Sequence, residues 1–357
     1  MSGFVHDAWY VAAWSTELGA GMLARTILEQ PVVLFRNTEG EPVALLDRCP
    51  HRLLPLSKGV LKGDTVQCGY HGLEFDCSGK CVRAPGQTRI PPEAKVRAFP
   101  VIEHMGMVWI WPGDPARASR DKLFDSLPQW ALAQSGEATA GGCRWEVVSG
   151  PVMPVAGNYL LLSENLVDPA HVVYVHAASL GSAAMADIPI DTKQIGDTVL
   201  VSRWTPDAPA SPILQRYGKW PGNVDRWQYY WLYPPHIAIV DFGAGPVGMG
   251  RGEEDRDAAV RLYSAHFMTP VDERNTLYFW FVLRNFAIGD KAVAADLLAQ
   301  VTTTFMEDKV VLEAIQDAED KPYAGTRVML AIDSGSARLR RTVAKMVEKE
   351  QASAKAA

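Results

Sequence analysis

Two short segments, each with a cysteine just ahead of a histidine, most constrain how this chain can fold. Cys49 and His51 lie in the segment RCPHR, and Cys68 and His71 lie in QCGYHG. One metal site built from these four side chains requires the two segments to be neighbouring loops. The Gly and Pro residues and the short apolar runs around them predict loops between β-strands rather than helices.

Two kinds of metal site use this set of ligands. A structural zinc finger usually supplies both cysteines first and both histidines later, from one helix. A two-iron cluster of the Rieske type holds one iron by two cysteines and the other by two histidines, so each loop supplies one ligand of each kind. We therefore predict Cys49 and Cys68 on one iron and His51 and His71 on the other, with a structural zinc site as the alternative.

Composition restricts the class of protein. The chain has 357 residues, of which 48% are hydrophobic and 21% charged, as in a globular protein of two domains or one large domain. Its formal net charge of -6 disfavours nucleic acid as a partner. No apolar run approaches the roughly 20 residues of a membrane span, and the N-terminus lacks a signal-peptide pattern. We predict a cytoplasmic protein with neither nucleic-acid nor membrane partners.

The apolar pattern changes along the chain. Short strand-like runs bounded by turn residues predict an all-β domain at 1–116, whereas longer strands followed by terminal helices predict an α+β domain with an antiparallel sheet at 117–345. The residues 346–357 are predicted to be a frayed tail. Three segments are predicted to be helical, namely NYLLLSENLVDPAHVVYVH, KAVAADLLAQVTTTFMEDKVVLEAIQDAE and SARLRRTVAKMVEKE.

A second group of polar residues lies about a hundred residues further on. Asn165, Asp168 and His171 recur every three residues and would share one face of a helix. His176 follows five residues later, and Pro169 is expected to disturb the helix locally. Two histidines and one carboxylate can hold a ferrous ion and leave three coordination positions open.

The carboxylate must come from elsewhere in the chain. Glu307 and Asp308 lie together in the second predicted helix, among apolar neighbours. Considered alone, this pair is typical of a solvated helix face, and the two histidines are typical of ordinary surface or core residues. The nearby cluster motif is what makes a mononuclear iron site the stronger interpretation.

Four segments, CPHR, CGYHGLEF, NLVDPAHVVYVHA and EDKVVLEAI, resemble the oxygenase component of Rieske non-haem iron monooxygenases. The closest branch contains vanillate O-demethylase, dicamba O-demethylase and toluenesulfonate methyl-monooxygenase, and the resemblance runs from DAWYVAAW to IDSGSARLRR. It implies an N-terminal Rieske [2Fe-2S] domain and a C-terminal catalytic domain with a curved antiparallel sheet flanked by helices. It also implies His171, His176 and Asp308 as ligands of a mononuclear Fe(II), Asp168 as an acid that bridges the two metal centres, and Asn165 as a residue near the iron.

The same resemblance implies the reaction and the partners. Electrons would pass from NADH through a separate ferredoxin-type reductase, O2 would be the co-substrate, and the assembly would be a homotrimer. The expected reaction hydroxylates a methyl group of an aromatic acid, with O-demethylation of vanillate-like methoxybenzoates to a phenol and formaldehyde as the first choice. The alternatives are an oxygenase that acts on a ring, N-methyl or aryl-methyl substrate, and a non-enzymatic Rieske electron carrier.

Two further patterns concern small molecules. The segment GAGPVG, at 243–248, has the spacing of a dinucleotide fingerprint but no helix after it, so we predict a loop and no NADH site on this chain. His236 and His266 lie in strand-like segments of the second domain. We predict that they hydrogen-bond the substrate, with hydrogen-bonded core histidines as the equal alternative.

Overall fold

The computed structural model describes residues 3–181 and 183–356. The chain divides into two compact units, Met1–Phe124 with Thr269–Asp272, and Asp125–Met268 with Glu273–Ala357. The first unit therefore extends beyond the predicted boundary at residue 116 and includes a short later segment. No helix among the described residues is long and apolar enough to cross a membrane.

The first unit is built from short strands in three sheets. Their orders are β1-β11-β10, β2-β3-β4-β9 and β5-β6-β7-β8, and the paired strands run antiparallel. The strands are β1 Tyr10–Trp14, β2 Leu23–Ile27, β3 Gln30–Arg36, β4 Pro42–Leu46, β5 Val60–Lys62, β6 Thr65–Gln67, β7 Glu74–Asp76, β8 Cys81–Arg83, β9 Ala98–Phe99, β10 Val101–His104 and β11 Met107–Ile110. The N-terminal unit is thus β-rich, as predicted.

The core of this unit contains the cysteine loops. Val33 and Phe35 of β3 and Val66 of β6 belong to a buried cluster that also includes Cys49 and Cys68. Alternate residues of a strand face the same side, so Val33 and Phe35 point from β3 into the same buried cluster. The cysteines of both loops therefore pack against the hydrophobic core of this unit.

The second unit contains one large sheet. Its strand order is β12-β19-β18-β17-β16-β15-β14, with β13 also paired to β19, and it is the predicted antiparallel sheet flanked by helices. The strands are β12 Glu146–Ser149, β13 Met153–Val155, β14 Asp191–Ile195, β15 Thr198–Ala208, β16 Val224–Tyr233, β17 Ile237–Pro246, β18 Val260–Pro270 and β19 Thr276–Arg284. The predicted GAGPVG loop is wrong in part, because β17 continues through the first four of its residues.

Seven helices accompany this sheet in the described residues. They are α1 Pro128–Ser135, α2 Tyr159–Asn165, α3 Val172–Val175, α4 Pro212–Gly218, α5 Glu253–Asp257, α6 Lys291–Glu319 and α7 Ser334–Ala356. Helix α7 includes most of the segment predicted to fray, and the fraying itself stays a prediction.

Helix α6 presents one buried stripe. Asp290 caps its N-terminus by accepting hydrogen bonds from the amides of Ala292 and Val293, which satisfies two amides that the helix leaves free. The buried side chains of α6 are Leu297, Val301, Thr304, Phe305, Asp308, Leu312 and Gln316. Their spacing of three and four residues places Asp308 on the apolar face of the helix.

The segment 158–176, predicted to be helical with a disturbance at Pro169, forms two short helices that are separated before and at that proline. Helix α2 ends at Asn165, and only the single turn of α3 follows, at Val172–Val175. The Asp168 side chain accepts a hydrogen bond from the amide of Ala170, 2.8 Å away, in a local turn typical of Asp. Pro169 has no amide hydrogen to continue a helix. The segment therefore turns between the two histidine positions and the end of α2.

Candidate metal centres and substrate pocket

The two cysteine loops have the same backbone geometry. The amide of Cys49 donates to Leu54 O and the amide of Leu53 donates to Cys49 O, both at 2.9 Å. In the second loop the amide of Cys68 donates to Leu73 O at 2.8 Å, and the amide of Gly72 donates to Cys68 O at 3.1 Å. In each loop the cysteine amide donates to the carbonyl five residues later. The cysteine carbonyl accepts a hydrogen bond from the amide four residues later.

The fourth residue after each cysteine turns the chain. Leu53 has φ 62° and Gly72 has φ 71°, which is the left-handed region. Glycine adopts it freely, whereas Leu53 is a leucine held there with 62% of its surface exposed. Both loops use this turn to direct a cysteine inward and a histidine outward.

The four predicted cluster ligands divide by burial. Cys49 and Cys68 are each 2% exposed, whereas His51 and His71 are exposed and their ring centroids lie 4.4 Å apart. Burial raises the pKa of the Cys49 thiol, and the amides of His51 and Arg52 hydrogen-bond the sulfur and oppose that rise. Two buried thiols beside two exposed imidazoles fit a cluster with a sulfur-ligated inner iron and an imidazole-ligated outer iron.

The second unit brings His171, His176 and Asp308 together. One ligand atom of each lies within 4.8 Å of the other two. Asp308 Oδ1 is 3.0 Å from His176 Nε2 and 3.5 Å from His171 Nε2. Their sequence separation gave no indication of this contact, which depends on α6 passing beside the α2–α3 turn.

The protonation pattern of His176 shows that the site suits a cation. Its Nδ1 lies 2.8 Å from Glu307 Oε2, and a carboxylate only accepts hydrogen bonds, so Nδ1 carries the proton. In the neutral ring, Nε2 then directs a lone pair at Asp308 Oδ1. Burial opposes protonation of His176, but hydrogen bonds with Asp308 and Glu307 outweigh it and raise its pKa. A proton or a metal ion is needed between these atoms, and two imidazoles with one carboxylate are the ligands that Fe(II) takes in such sites.

Considered without the cluster motif and the resemblance, Glu307 and Asp308 were both typical of a solvated helix face, and neither side chain is fully exposed. Asp308 is 9% exposed, and the side chain of Glu307 is 33% exposed but contacts His176. The apolar period of α6 places Asp308 on the buried face of the helix, so the sequence could have shown that this acid is buried. Glu307 lies one position off that face, so only the fold shows its contact.

Asn165 and Asp168 flank the triad in different ways. Asn165 Nδ2 donates to Asp308 Oδ1 at 3.1 Å. Asp168 Oδ2 is 3.8 Å from His171 Nδ1, beyond hydrogen-bond distance, and its side chain is 30% exposed. Asn165 therefore orients the carboxylate of Asp308, whereas Asp168 lies at the open edge beside His171.

A buried arginine fixes the turn that contains Asp168. Arg203 of β15 is 2% exposed and donates to Pro169 O at 2.9 Å. It also donates to Gln228 Oε1 at 2.6 Å, and Gln228 in turn donates to Tyr230 OH at 2.9 Å. This network connects the turn to two residues that line the pocket described next.

A cavity opens onto the triad, and His171, His176 and Asp308 form part of its wall. Apolar residues such as Leu214, Val240 and Phe242 form most of its wall. Arg226 also lines it, with burial and the charge of Arg203 lowering its pKa to about 10. The guanidinium therefore stays positive at neutral pH.

His266 lines this cavity, whereas His236 does not. His266 Nδ1 lies 2.5 Å from Tyr278 OH, and its Nε2 has no hydrogen-bond partner among the described residues. Burial lowers the pKa of His266 to about 3, so the ring is neutral. The tautomer in which Tyr278 donates to Nδ1 satisfies the phenol proton and makes Nε2 a donor. The oxygen of Ser264, two residues earlier on the same face of β18, also lacks a partner among the described residues. His236 is fully buried away from the lining, so the predicted substrate contact has no support there.

A pair of cysteine–histidine loops on a β-rich unit and a two-histidine, one-carboxylate site beneath an antiparallel sheet together define a Rieske-type oxygenase. Residues 8–100 match the family model of the Rieske [2Fe-2S] domain, and residues 155–349 match the vanillate O-demethylase oxygenase C-terminal domain. The chain belongs to this family of Rieske oxygenases.

Two relatives and one solved structure match over nearly their whole length. The chain is 37% identical to the iron–sulfur subunit of the toluene-4-sulfonate monooxygenase system of Comamonas testosteroni, covering 93% of this chain and 94% of that protein. It is 31% identical to the vanillate O-demethylase oxygenase subunit of a Pseudomonas species, covering 99% and 98%. The crystal structure of dicamba monooxygenase bound to 3,6-dichlorosalicylic acid superimposes with a TM-score of 0.88 at 32% identity, covering 98% and 99%.

These findings confirm the predicted class. The chain is the oxygenase component of a Rieske monooxygenase, and it uses a Rieske [2Fe-2S] cluster, a mononuclear iron and O2. It is an enzyme rather than a simple electron carrier, and like its relatives it works with a separate reductase.

Proposed function

We propose that this chain O-demethylates an aromatic acid of the methoxybenzoate type, giving a phenol and formaldehyde. The observation that carries the proposal is the pocket, where an apolar cavity beside the triad contains the cationic Arg226 and the unpartnered polar atoms of Ser264 and His266. An apolar wall suits an aromatic ring. A carboxylate can accept hydrogen bonds from all three polar side chains.

The geometry within each unit supports the proposed ligands. We assign Cys49 and Cys68 to one iron of the cluster and His51 and His71 to the other. The mononuclear iron is assigned to the triad, for which the ligand atoms within 4.8 Å of one another are the main support. Two histidine nitrogens and one carboxylate oxygen are too few to fill the coordination shell of Fe(II), so such an iron would keep positions for O2.

The residues of this chain prepare the site for the reaction. A mononuclear iron held by His171, His176 and Asp308 would supply the activation of O2 and the hydroxylation of the substrate's methyl group. The apolar wall excludes water from that reaction. Asn165 orients the Asp308 carboxylate, and Arg226 and His266 fix the acid end of the ring so that the methoxy group lies towards the triad. The hydroxylated methyl ether then collapses to the phenol and formaldehyde.

We further propose a homotrimer in which electrons cross between subunits. Asp168 lies beside His171 and is partly exposed, which suits a carboxylate that accepts a hydrogen bond from a cluster histidine of a neighbouring subunit. A head-to-tail arrangement of this kind closes into a ring. A ferredoxin-type reductase is proposed to carry the electrons from NADH, and the predicted cytoplasmic location stays a prediction.

A panel of methoxybenzoates tests the substrate class. The purified oxygenase, supplied with a reductase and NADH, is incubated with vanillate, its positional isomers and the matching methyl esters, and formaldehyde is measured. We expect formaldehyde from one or more acids and little from the ester of the same ring, because Arg226 binds the carboxylate. The Asp308→Ala variant is the control for reductase-derived oxidation.

A second arm of the same assay uses 4-toluenesulfonate. Hydroxylation of its aryl methyl group gives an alcohol and no formaldehyde. Formation of that alcohol, with no formaldehyde from any methoxy compound, would replace O-demethylation by aryl-methyl hydroxylation. Equal turnover of acids and esters would rule out the role of Arg226.

A further inference from the structure

Glu307 and Asp308, adjacent on α6, contact the two ring nitrogens of His176. Asp308 is a proposed metal ligand, and Glu307 is not, so its contact with the ring needs another explanation. We propose that Glu307 is a positioning residue for the mononuclear iron, which holds the ring of His176 so that Nε2 is the nitrogen offered to the metal. The inference rests on the proposed triad of His171, His176 and Asp308.

The hydrogen bond to Glu307 decides which nitrogen of His176 is available. Glu307 Oε2 lies 2.8 Å from Nδ1, so this nitrogen carries the hydrogen and cannot bind a metal. Nε2 lies 3.0 Å from Asp308 Oδ1 and carries the free lone pair. The ring is 2% exposed, so water cannot replace the carboxylate as a partner. Rotation of the ring would break both contacts at once.

The helix makes this double contact possible. Consecutive residues of an α-helix point about 100° apart, so Glu307 and Asp308 diverge from neighbouring positions on α6. The His176 ring lies between them, and each carboxylate contacts one of its nitrogens. Glu307 also adds a second negative charge next to the position of a divalent cation, which strengthens binding of that cation.

The other histidine has no equivalent support within the described chain. His171 Nδ1 has no hydrogen-bond partner among the described residues, and the nearest carboxylate oxygen recorded for it, on Asp168, is 3.8 Å away. His176 is therefore the histidine that this chain orients in advance. Hydrogen-bond partners of this kind change metal affinity by about 10- to 100-fold when they are removed.

Three variants separate charge, hydrogen bonding and fold. Glu307→Gln keeps the size and an acceptor oxygen but removes the charge, and Glu307→Leu removes both. Asp317→Asn is the matched control, because Asp317 is an exposed acid on the same helix. Each protein is prepared with its cluster intact and its mononuclear site empty, and Co²⁺ affinity is measured by competition with a chelator.

We expect Co²⁺ affinity to fall about 10-fold in Glu307→Gln and about 100-fold in Glu307→Leu, and to be unchanged in Asp317→Asn. With the cluster oxidised, the EPR spectrum of bound Co²⁺ should change in Glu307→Leu, because the released ring alters the ligand field. The cluster absorption and the unfolding temperature should match the wild type, which excludes a general loss of structure.

The outcomes distinguish this inference from the ligand assignment. If Glu307→Leu binds Co²⁺ with wild-type affinity and an unchanged spectrum while Asp308→Ala loses binding, the positioning role is wrong and the triad stands. If Asp308→Ala also retains wild-type affinity, the triad itself is wrong.

Discussion

Asp308 determines what the second unit can bind, because it is the acid on the buried stripe of α6 and faces two histidine nitrogens. A carboxylate buried there without a cation would face lone pairs, which is unfavourable. The site is therefore organised around a positive charge. At the scale of single residues, this makes the ligand assignment directly testable.

Replacement of Asp308 by Ala should remove the mononuclear iron and leave the cluster. The two remaining imidazoles provide too few ligands to retain Fe(II), whereas all the proposed ligands of the cluster lie in the first unit. Iron analysis should show the loss of one iron per chain, with the visible absorption of the two-iron cluster retained, and turnover should disappear.

The reciprocal variant is Cys68→Ser, which should lose the visible absorption but retain the mononuclear metal. If Asp308→Ala keeps all of its iron, or if Cys68→Ser keeps its colour, the corresponding ligand assignment is incorrect.

Burial of the neutral His266 ring should make the free energy of unfolding decrease as the pH falls. Burial lowers its pKa from 6.5 to about 3, so below pH 6.5 the unfolded chain binds a proton that the folded chain does not. Stability therefore falls as the pH drops from 6.5 towards 3 and is unaffected above that range. The loss between pH 7 and pH 5 is about 2 kcal/mol, from about 1.4 kcal/mol per pH unit.

Urea unfolding of the wild type and of His266→Gln at both pH values measures this contribution. The variant lacks the titrating ring, so its free energy of unfolding should fall by about 2 kcal/mol less than that of the wild type. An identical pH dependence of the two proteins would mean that His266 is protonated in the folded state.

At the scale of elements, the α2–α3 turn places the histidines. The carbonyl of His176 accepts hydrogen bonds from the amides of Ser179, Leu180 and Gly181, which ends α3 and reverses the chain. A Cβ on Gly181 would lie 2.6 Å from Val172 O, so only glycine fits between this turn and the helix it follows.

Gly181→Ala should therefore displace α3 and both histidines. The clash is with backbone, which cannot rotate away, so we expect a loss of about 1–3 kcal/mol in the free energy of unfolding and a lower content of mononuclear metal. Thermal unfolding and metal analysis test this, with Gly222→Ala as the control because nothing lies within 4 Å of its added Cβ. Equal metal content in the two variants would contradict the role of Gly181.

The elements also show what the sequence could and could not predict. The cysteine–histidine loops were predictable because ligand type and spacing alone restrict them, and α6 was predictable from its apolar period. The spacing of Asn165, Asp168 and His171 is that of one helix face, yet the three residues do not lie on one helix. Asp168 accepts a hydrogen bond in a local turn, Pro169 has no amide hydrogen, and α2 ends at Asn165. The contact of Glu307 with His176 joins residues 131 positions apart, and no local pattern encodes it.

At the scale of the whole molecule, the proposed ligands of the two metal centres belong to different compact units. The four proposed cluster ligands lie within Met1–Phe124, and the triad lies within the second unit. Electrons must pass between these units, either within one chain or between neighbouring chains. The proposed trimer favours the second route, since the exposed His51 and His71 are free to meet a neighbouring subunit's site.

Mixed assemblies of two inactive subunits distinguish the two routes. Cys68→Ser chains lack the cluster and Asp308→Ala chains lack the mononuclear iron, so each homo-oligomer should be inactive. When the two are co-expressed with different affinity tags and purified through both, a cluster on one chain can still serve the iron of its neighbour. In a head-to-tail ring, an interface is competent when its donor chain has the cluster and its acceptor chain has the mononuclear iron. Random mixing of the two chains gives this combination at about a quarter of the interfaces. Tandem purification removes the homo-oligomers and so raises that share. Turnover at about that level supports transfer between subunits, whereas inactive hybrids that contain both metal centres would place the route within one chain.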